Sequence, residues 1–246
     1  ESLIDLNASL EELGVSLFIQ QGEVCDVFQR LHQRFGFSQI SAHEETGNAL
    51  SYRRDRRLAN WAQAAGVALK ETPQNGVVRR LEDRDGWSKV WESRMSQPII
   101  LPARRIDGPM LSDGDVQIPS AESLGLIRTE RVPQLQGGES DGLRVLESFA
   151  MGRGSRYHRE MSSPNTAFDS CSRLSPYFTW GCLSMRTAVQ RIRAAAGDTL
   201  PKIAARAFLS RCHWHCHFIQ KLESEPAIEF CAFNRACETL RENGND

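Results

Sequence analysis

The chain has 246 residues, 40% hydrophobic and 25% charged, with 30 Lys and Arg against 31 Asp and Glu. Such proportions describe a globular protein with enough chain for one large domain or two ordinary ones, and no apolar run reaches the roughly 18–20 residues that cross a bilayer. The 7 cysteines, an odd count without disulfide-type spacing, suit a reducing compartment; with no recognisable signal peptide, the expectation is a soluble cytoplasmic protein.

The chain opens at Glu1 inside a helical pattern, ESLIDLNASLEELG, and closes in another, CAFNRACETLRENGND, which reads as part of a longer chain. VSLFIQQG (15–22) is a short apolar run closed by Gly and predicts a strand. EVCDVFQRLHQRFG (23–36) predicts a helix with Val24, Val27, Phe28 and Leu31 on one face. FSQISAHEE is the second strand candidate, ALSYRRDRRLANWAQAAG a helix stopped by Gly66, and VALKETP a third strand. Strands alternating with helices predict a parallel, helix-flanked sheet. From about Pro98 to Gly142, Pro102, Pro109, Pro119, Pro133 and Gly137-Gly138 break the text into a long linker. Every segment after it has helical period. The expected organisation is an α/β domain over 1–98, a linker over 99–140 and an all-α domain over 141–246.

Charge is unevenly spread. Between Met151 and Arg211 there are 10 Lys and Arg but only 3 acids, a net +7, which suits a solvated basic face or a phosphate-rich partner. Within that stretch, SCSRLSPYFTWGCLSMR (170–186) crowds small hydroxyls around Arg173. Ser175-Pro176 is a helix-start signal, with Ser as N-cap and Pro at the first helical position; Ser184 is a second cap. A helix start exposes unpaired N–H groups that favour anions, and Arg173 can fork onto two phosphate oxygens. The physics admits both a diphosphate cradle and two ordinary capped helices.

SRLSPYFTWGCLS closely resembles the flavin-diphosphate segment of the photolyase/cryptochrome superfamily. Tyr157 matches that family's flavin-contacting tyrosine, and AFLSRCHWHCHFIQKL (207–222) stands where the family has its substrate-facing helix. The strand-helix alternation, HEETGNALSYRRDRRLANWAQ and the Pro-rich linker match the family's antenna domain and interdomain connection. The resemblance implies an N-terminal nucleotide-binding-like parallel sheet with helices, then an incomplete helical FAD-binding domain. It implies FAD held by Tyr157, Cys171, Ser172, Arg173, Leu174 and Ser175, with Phe208, Arg211 and His215 on the cofactor side. Arg211 and Trp214 would face substrate, Trp214 stacking on a pyrimidine. Glu44 and Glu45, at a strand's carboxyl end where α/β ligands gather, would hold a second, antenna chromophore of folate or flavin type.

The implied activity is FAD-dependent, light-driven repair of damaged DNA, single or double stranded, by electron transfer from reduced flavin to a flipped pyrimidine dimer. The implied protein is a monomer without a membrane partner. Two departures stand out. Cys171 replaces the usual Thr, a weak donor for a good one, and Arg211 replaces the usual Glu, with His215 in place of an Arg. A cation at 211 favours the rival activity, a cryptochrome-like photoreceptor that does not repair. A third reading, a helical metal-binding module, rests on CHWHCHF: His213 and His217, like Cys212 and Cys216, are four apart on one helical face, but the two pairs point about 100° apart.

Overall fold

The computed structural model describes residues 1–108, 118–126 and 135–238. Pro109 and Pro133 of the expected linker, and the last eight residues of the closing helical pattern, lie outside them. The described residues form two compact units: Glu1–Gln21 with Met95–Ser210, and Gly22–Arg94 with the residues from Arg211 onward. Each unit therefore joins segments distant in the chain, where the sequence reading expects consecutive domains.

The second unit begins with α2 (Val24–Phe35), which follows α1 (Ser2–Glu12) of the first unit. The Glu23 carboxylate caps α2 by accepting from the Cys25 N–H at 2.8 Å, and Gly36 ends it at φ 63°, a left-handed conformation that costs glycine nothing. Strand β1 (Gln39–His43) then leads through α3 (Ala49–Ala64) to β2 (Ala68–Thr72), and the strands pair in parallel from Gln39–Ala68 to His43–Thr72. Asn48 caps α3, its side chain accepting from the Ser51 N–H at 3.0 Å. This is a βαβ unit, the connection that parallel strands require. Its core is Ile40, Leu58, Ala62 and Val67, flanked by Val24, Phe28, Phe37 and Trp61.

The strand expected over 15–22 does not form. Among the described residues the sheet has two strands. The Leu17 N–H is spent on the Asn7 side chain at 2.8 Å and the Val15 N–H on the Leu10 carbonyl at 3.1 Å, so this apolar run folds back on α1 rather than pairing along a sheet edge.

In the first unit, α5 (Glu139–Ala150) starts after Gly138, which has no side chain to cap it. Asp5 supplies the missing acceptor, taking the Glu139 N–H at 2.8 Å. Helix α5 buries Val145, Leu146, Phe149 and Ala150. A 3₁₀ turn (Arg153–Arg156) and three short helices follow, α6 (Tyr157–Glu160), α7 (Ala167–Ser170) and α8 (Ser175–Thr179). Helix α9 (Met185–Ala195) buries Met185, Ala188, Val189, Ile192 and Ala195, and Ser184 caps it as the sequence suggests, accepting from the Thr187 N–H at 3.0 Å. Helix α10 (Lys202–Ser224) gives Ala204, Ala205 and Phe208 to this unit's core and Cys212, Cys216 and Gln220 to the other's.

Around α4 (Trp87–Ser96), the second unit has a second core. Gly76 lies so close to Trp91 that a Cβ would sit 2.0 Å from its ring, and its carbonyl accepts the Trp87 indole N–H at 2.9 Å. Gln220, fully buried, grips the backbone beside it, accepting from the Val78 N–H at 2.7 Å and donating to the Val78 carbonyl at 3.0 Å. Gln220→Leu keeps the volume but orphans both groups, at about 1–3 kcal/mol each. The urea midpoint should fall with an unchanged slope; an unchanged midpoint would show that Val78 finds other partners.

Candidate functional site

Residues 171–174 run between α7 and α8 as a short loop of the first unit, and Ser175 opens α8. Leu174 is its anchor, fully buried. The loop is held from behind by Arg153, whose side chain is half-buried. Its Nη1 donates to the Cys171 carbonyl; its Nη2 donates to the carbonyls of Ser172 at 3.1 Å and Val145 at 3.2 Å; its Nε donates to Ser148 Oγ at 3.0 Å. The guanidinium also lies 5.6 Å from the Phe149 ring centroid. All of these oxygens are neutral. Burial, and then the nearby charge of Arg173, pulls the Arg153 pKa below its ordinary value.

The consequence appears on the other side of the loop. In a trans peptide the C=O and the next N–H point in opposite directions, and no peptide here is cis. With the carbonyls of 171 and 172 turned onto Arg153, the N–H groups of Ser172 and Arg173 turn away from it. Among the described residues no acceptor takes the N–H of Ser172, Arg173, Leu174 or Ser175, nor do the hydroxyls of Ser172 and Ser175 donate to any group. Arg173 has φ 60°, and Leu174 follows in the right-handed region at φ −90°, ψ −12°. Left-handed followed by right-handed is the pattern that curls successive N–H groups toward one anion.

Two details depart from the sequence reading. Helix α8 already includes Ser175, with Leu174 before it, and no side chain caps it; the Ser175 hydroxyl is left for other work. The Arg173 guanidinium is not forked outward. Its Nε donates to the Phe168 carbonyl at 2.7 Å, its Nη2 donates to the same oxygen, and it lies 4.2 Å from the Phe168 ring centroid. Backbone N–H groups, not this fork, are the loop's free donors. Burial pushes the Cys171 thiol up, with Arg153 and Arg173 pulling back, so it stays a neutral, weak donor.

Tyr157 and Phe208 are brought together in the same unit. Both are buried, 6.1 Å apart between centroids, and each packs on Phe149, at 5.3 and 5.1 Å. The residue the sequence reading missed is Arg153. Its signal was faint: a basic residue between two glycines, with no carboxylate within five positions on either side.

In the second unit, Trp214 is 49% exposed and its ring lies 5.5 Å from Phe218, itself exposed. Arg211, one turn earlier, is exposed too, while His215 is partly covered and burial lowers its pKa. His213 and His217 stand over Trp87, at 4.8 and 5.8 Å between centroids. His213 Nε2 lies 3.0 Å from Ser88 Oγ and His217 Nδ1 lies 3.2 Å from Arg84 Nη2. Cys212 and Cys216 are buried away from solvent. An arginine against one histidine disfavours a cation there, and among the described residues no group of three or more His, Cys, Asp or Glu is arranged to hold a metal ion. Glu44 follows β1 directly. Glu45 is occupied, accepting from the Gly47 N–H at 2.6 Å and pairing with Arg54 at 2.9 Å.

A family model described as DNA photolyase matches residues 1–84. Cryptochrome-2 of Gallus gallus is 28% identical over 214 residues, covering 78% of this chain and 37% of that protein; cryptochrome-1 of Erithacus rubecula is 29% identical, covering 76% and 33%. These likenesses support the photolyase/cryptochrome superfamily. Solved members share the fold. A bacterial class III photolyase from Agrobacterium tumefaciens superposes with TM-score 0.80 over 98% of this chain and 52% of its own, at 18% identity. An archaeal photolyase from Sulfolobus tokodaii, solved with two FAD molecules, gives 0.68 over 99% and 51%, and a Synechocystis cryptochrome gives 0.71 over 90% and 49%. The chain thus spans about a third of the curated relatives' length and about half of the solved ones.

Burial, then Arg84, His213 and Lys221, depress the His217 pKa. Its folded value lies below the unfolded one, near 6.5, so this histidine favours folding above that pH and opposes it as pH falls through that value. An NMR titration should place the His217 midpoint below 6.5, and Arg84→Ala should raise it; an unmoved midpoint would remove Arg84 as a cause.

Proposed function

We propose that the chain carries the diphosphate-binding part of an FAD-dependent, light-driven DNA-repair flavoprotein. The observation that supports this reading is the row of four unclaimed N–H groups at Ser172–Ser175, set beside two guanidiniums, Arg153 and Arg173, that pair with no carboxylate among the described residues. Phosphate oxygens suit that donor set: charge-assisted bonds from N–H groups are about twice as strong as neutral ones. The hydroxyls of Ser172 and Ser175 add donors, and Cys171 contributes little. When bound, FAD supplies light absorption and a transferable electron. The chain's residues would hold and orient its phosphates.

For the substrate, Trp214 and Phe218 offer an exposed aromatic ledge with Arg211 at one end. Bases stack on such rings, and a guanidinium takes a backbone phosphate. This supports damaged DNA as partner, with a base extruded onto the ledge. The photoreceptor reading gains from Arg211, because a cation there cannot act as the acid that the repair members' glutamate provides. Nothing about Glu45, tied to Arg54, argues for an antenna chromophore at that residue; Glu44 is left as the candidate.

The purified protein should be yellow and release FAD on denaturation. Under blue light with a reductant it should clear cyclobutane dimers from an oligonucleotide. Trp214→Ala should weaken binding of that oligonucleotide by about 1–3 kcal/mol, the range for one base-aromatic stack. Dimers that persist under light, with FAD bound and reduced, would replace repair with the photoreceptor reading.

A further inference from the structure

We propose that Arg153 is the positioning residue of the anion loop: it aims the loop's N–H groups and supplies charge that only a bound anion of at least two negative charges offsets. The inference rests on the diphosphate reading above and names the residue that makes the loop competent.

Three observations carry it. First, Arg153 makes its hydrogen bonds with carbonyls of 145, 171 and 172 and one hydroxyl, so it binds structure on both α5 and the loop. A fork with five donors in one plane can span these oxygens; an ammonium cannot. Second, the two carbonyls it takes from the loop belong to the peptides whose N–H groups are those of Ser172 and Arg173. Releasing them frees both peptide planes to rotate and spoils the donor direction. Third, the charge is uncompensated. A partly buried guanidinium ordinarily meets a carboxylate, because desolvating a lone charge is costly. Arg153 meets none among the described residues, and the other cation near enough to matter, Arg173, repels it. A second cation beside a half-buried one, over a row of free N–H groups, is the electrostatic arrangement of a site completed by its ligand.

Gly154 follows Arg153, and a Cβ there would lie 2.6 Å from the Phe149 ring. The 3₁₀ turn is thereby pressed against Phe149, which keeps the Arg153 backbone close beneath the loop. The ring under the guanidinium adds cation–π attraction.

The test uses inorganic pyrophosphate as the probe, with FAD and riboflavin in parallel. For the unmodified protein, pyrophosphate should raise Tm and compete with FAD. In Arg153→Met its apparent affinity should fall about tenfold or more, the loss expected for a charged hydrogen-bonding group, while riboflavin, which has no phosphate, binds as before. Arg153→Lys restores the charge but not the fork, and should recover only part of the loss; it also serves if Arg153→Met does not fold. Equal losses for pyrophosphate and riboflavin in both variants would reduce Arg153 to a structural strut, and unchanged pyrophosphate binding would overturn the proposal outright. So would an unmodified protein indifferent to pyrophosphate. FAD binding that survives in both variants refutes the role of Arg153 and leaves the flavin reading standing. Pyrophosphate binding that depends on Arg153, in a protein that takes no FAD, does the reverse.

Discussion

A guanidinium drawn into the protein and faced only by neutral oxygens organises the first unit's surface. Arg153 takes carbonyls from α5 and from the 171–174 loop, and those carbonyls decide which way the loop's N–H groups face. Leu174 fixes the loop's depth and the left-handed turn at Arg173 sets its curl. Remove the cation and the same sequence is an ordinary connection between two short helices. With it, the loop presents a row of unclaimed backbone N–H groups, the surface proposed to bind phosphate.

Donors fixed before the ligand arrives lose little entropy on binding, which is why backbone N–H groups serve phosphates so well. In the proposed site Cys171 stands where a threonine hydroxyl would donate; burial keeps the thiol neutral, and the donors that remain are the four N–H groups and the two serine hydroxyls. The basic excess between 151 and 211 then has two separable parts. Some of it, such as Arg191 on Glu147, is spent in ion pairs at the surface. Arg153 and Arg173 are not.

Much of the fold was legible. The helix over 24–35 announced itself by apolar period and by its closing glycine, and β1 and β2 by apolar runs separated by one helix. Ser184 was legible as a cap because capping is a local bond. The run at 15–22 was misleading because strand formation needs a neighbouring edge, and nothing in eight residues says whether one is present. The grouping of Met95–Ser210 with the first twenty-one residues was invisible for the same reason. At the site, the hydroxyl-rich segment was readable from residue types, yet the roles within it were not. Arg173 looks like the phosphate fork in the text, whereas Phe168 holds it. Arg153 looks incidental, although its three carbonyls come from parts of the chain as distant as 145 and 172. Which side chain grips a carbonyl is a tertiary fact.

The likeness to the photolyase/cryptochrome superfamily rests on the family match and the curated relatives; the donor row is where we propose that this chain meets that superfamily's cofactor. The most direct check is to follow the backbone N–H resonances of Ser172, Arg173, Leu174 and Ser175 by two-dimensional NMR as FAD is added. The account predicts that these four move downfield together and saturate with one affinity, as N–H groups do on bonding to phosphate. Saturable FAD binding that leaves all four where they began would contradict it.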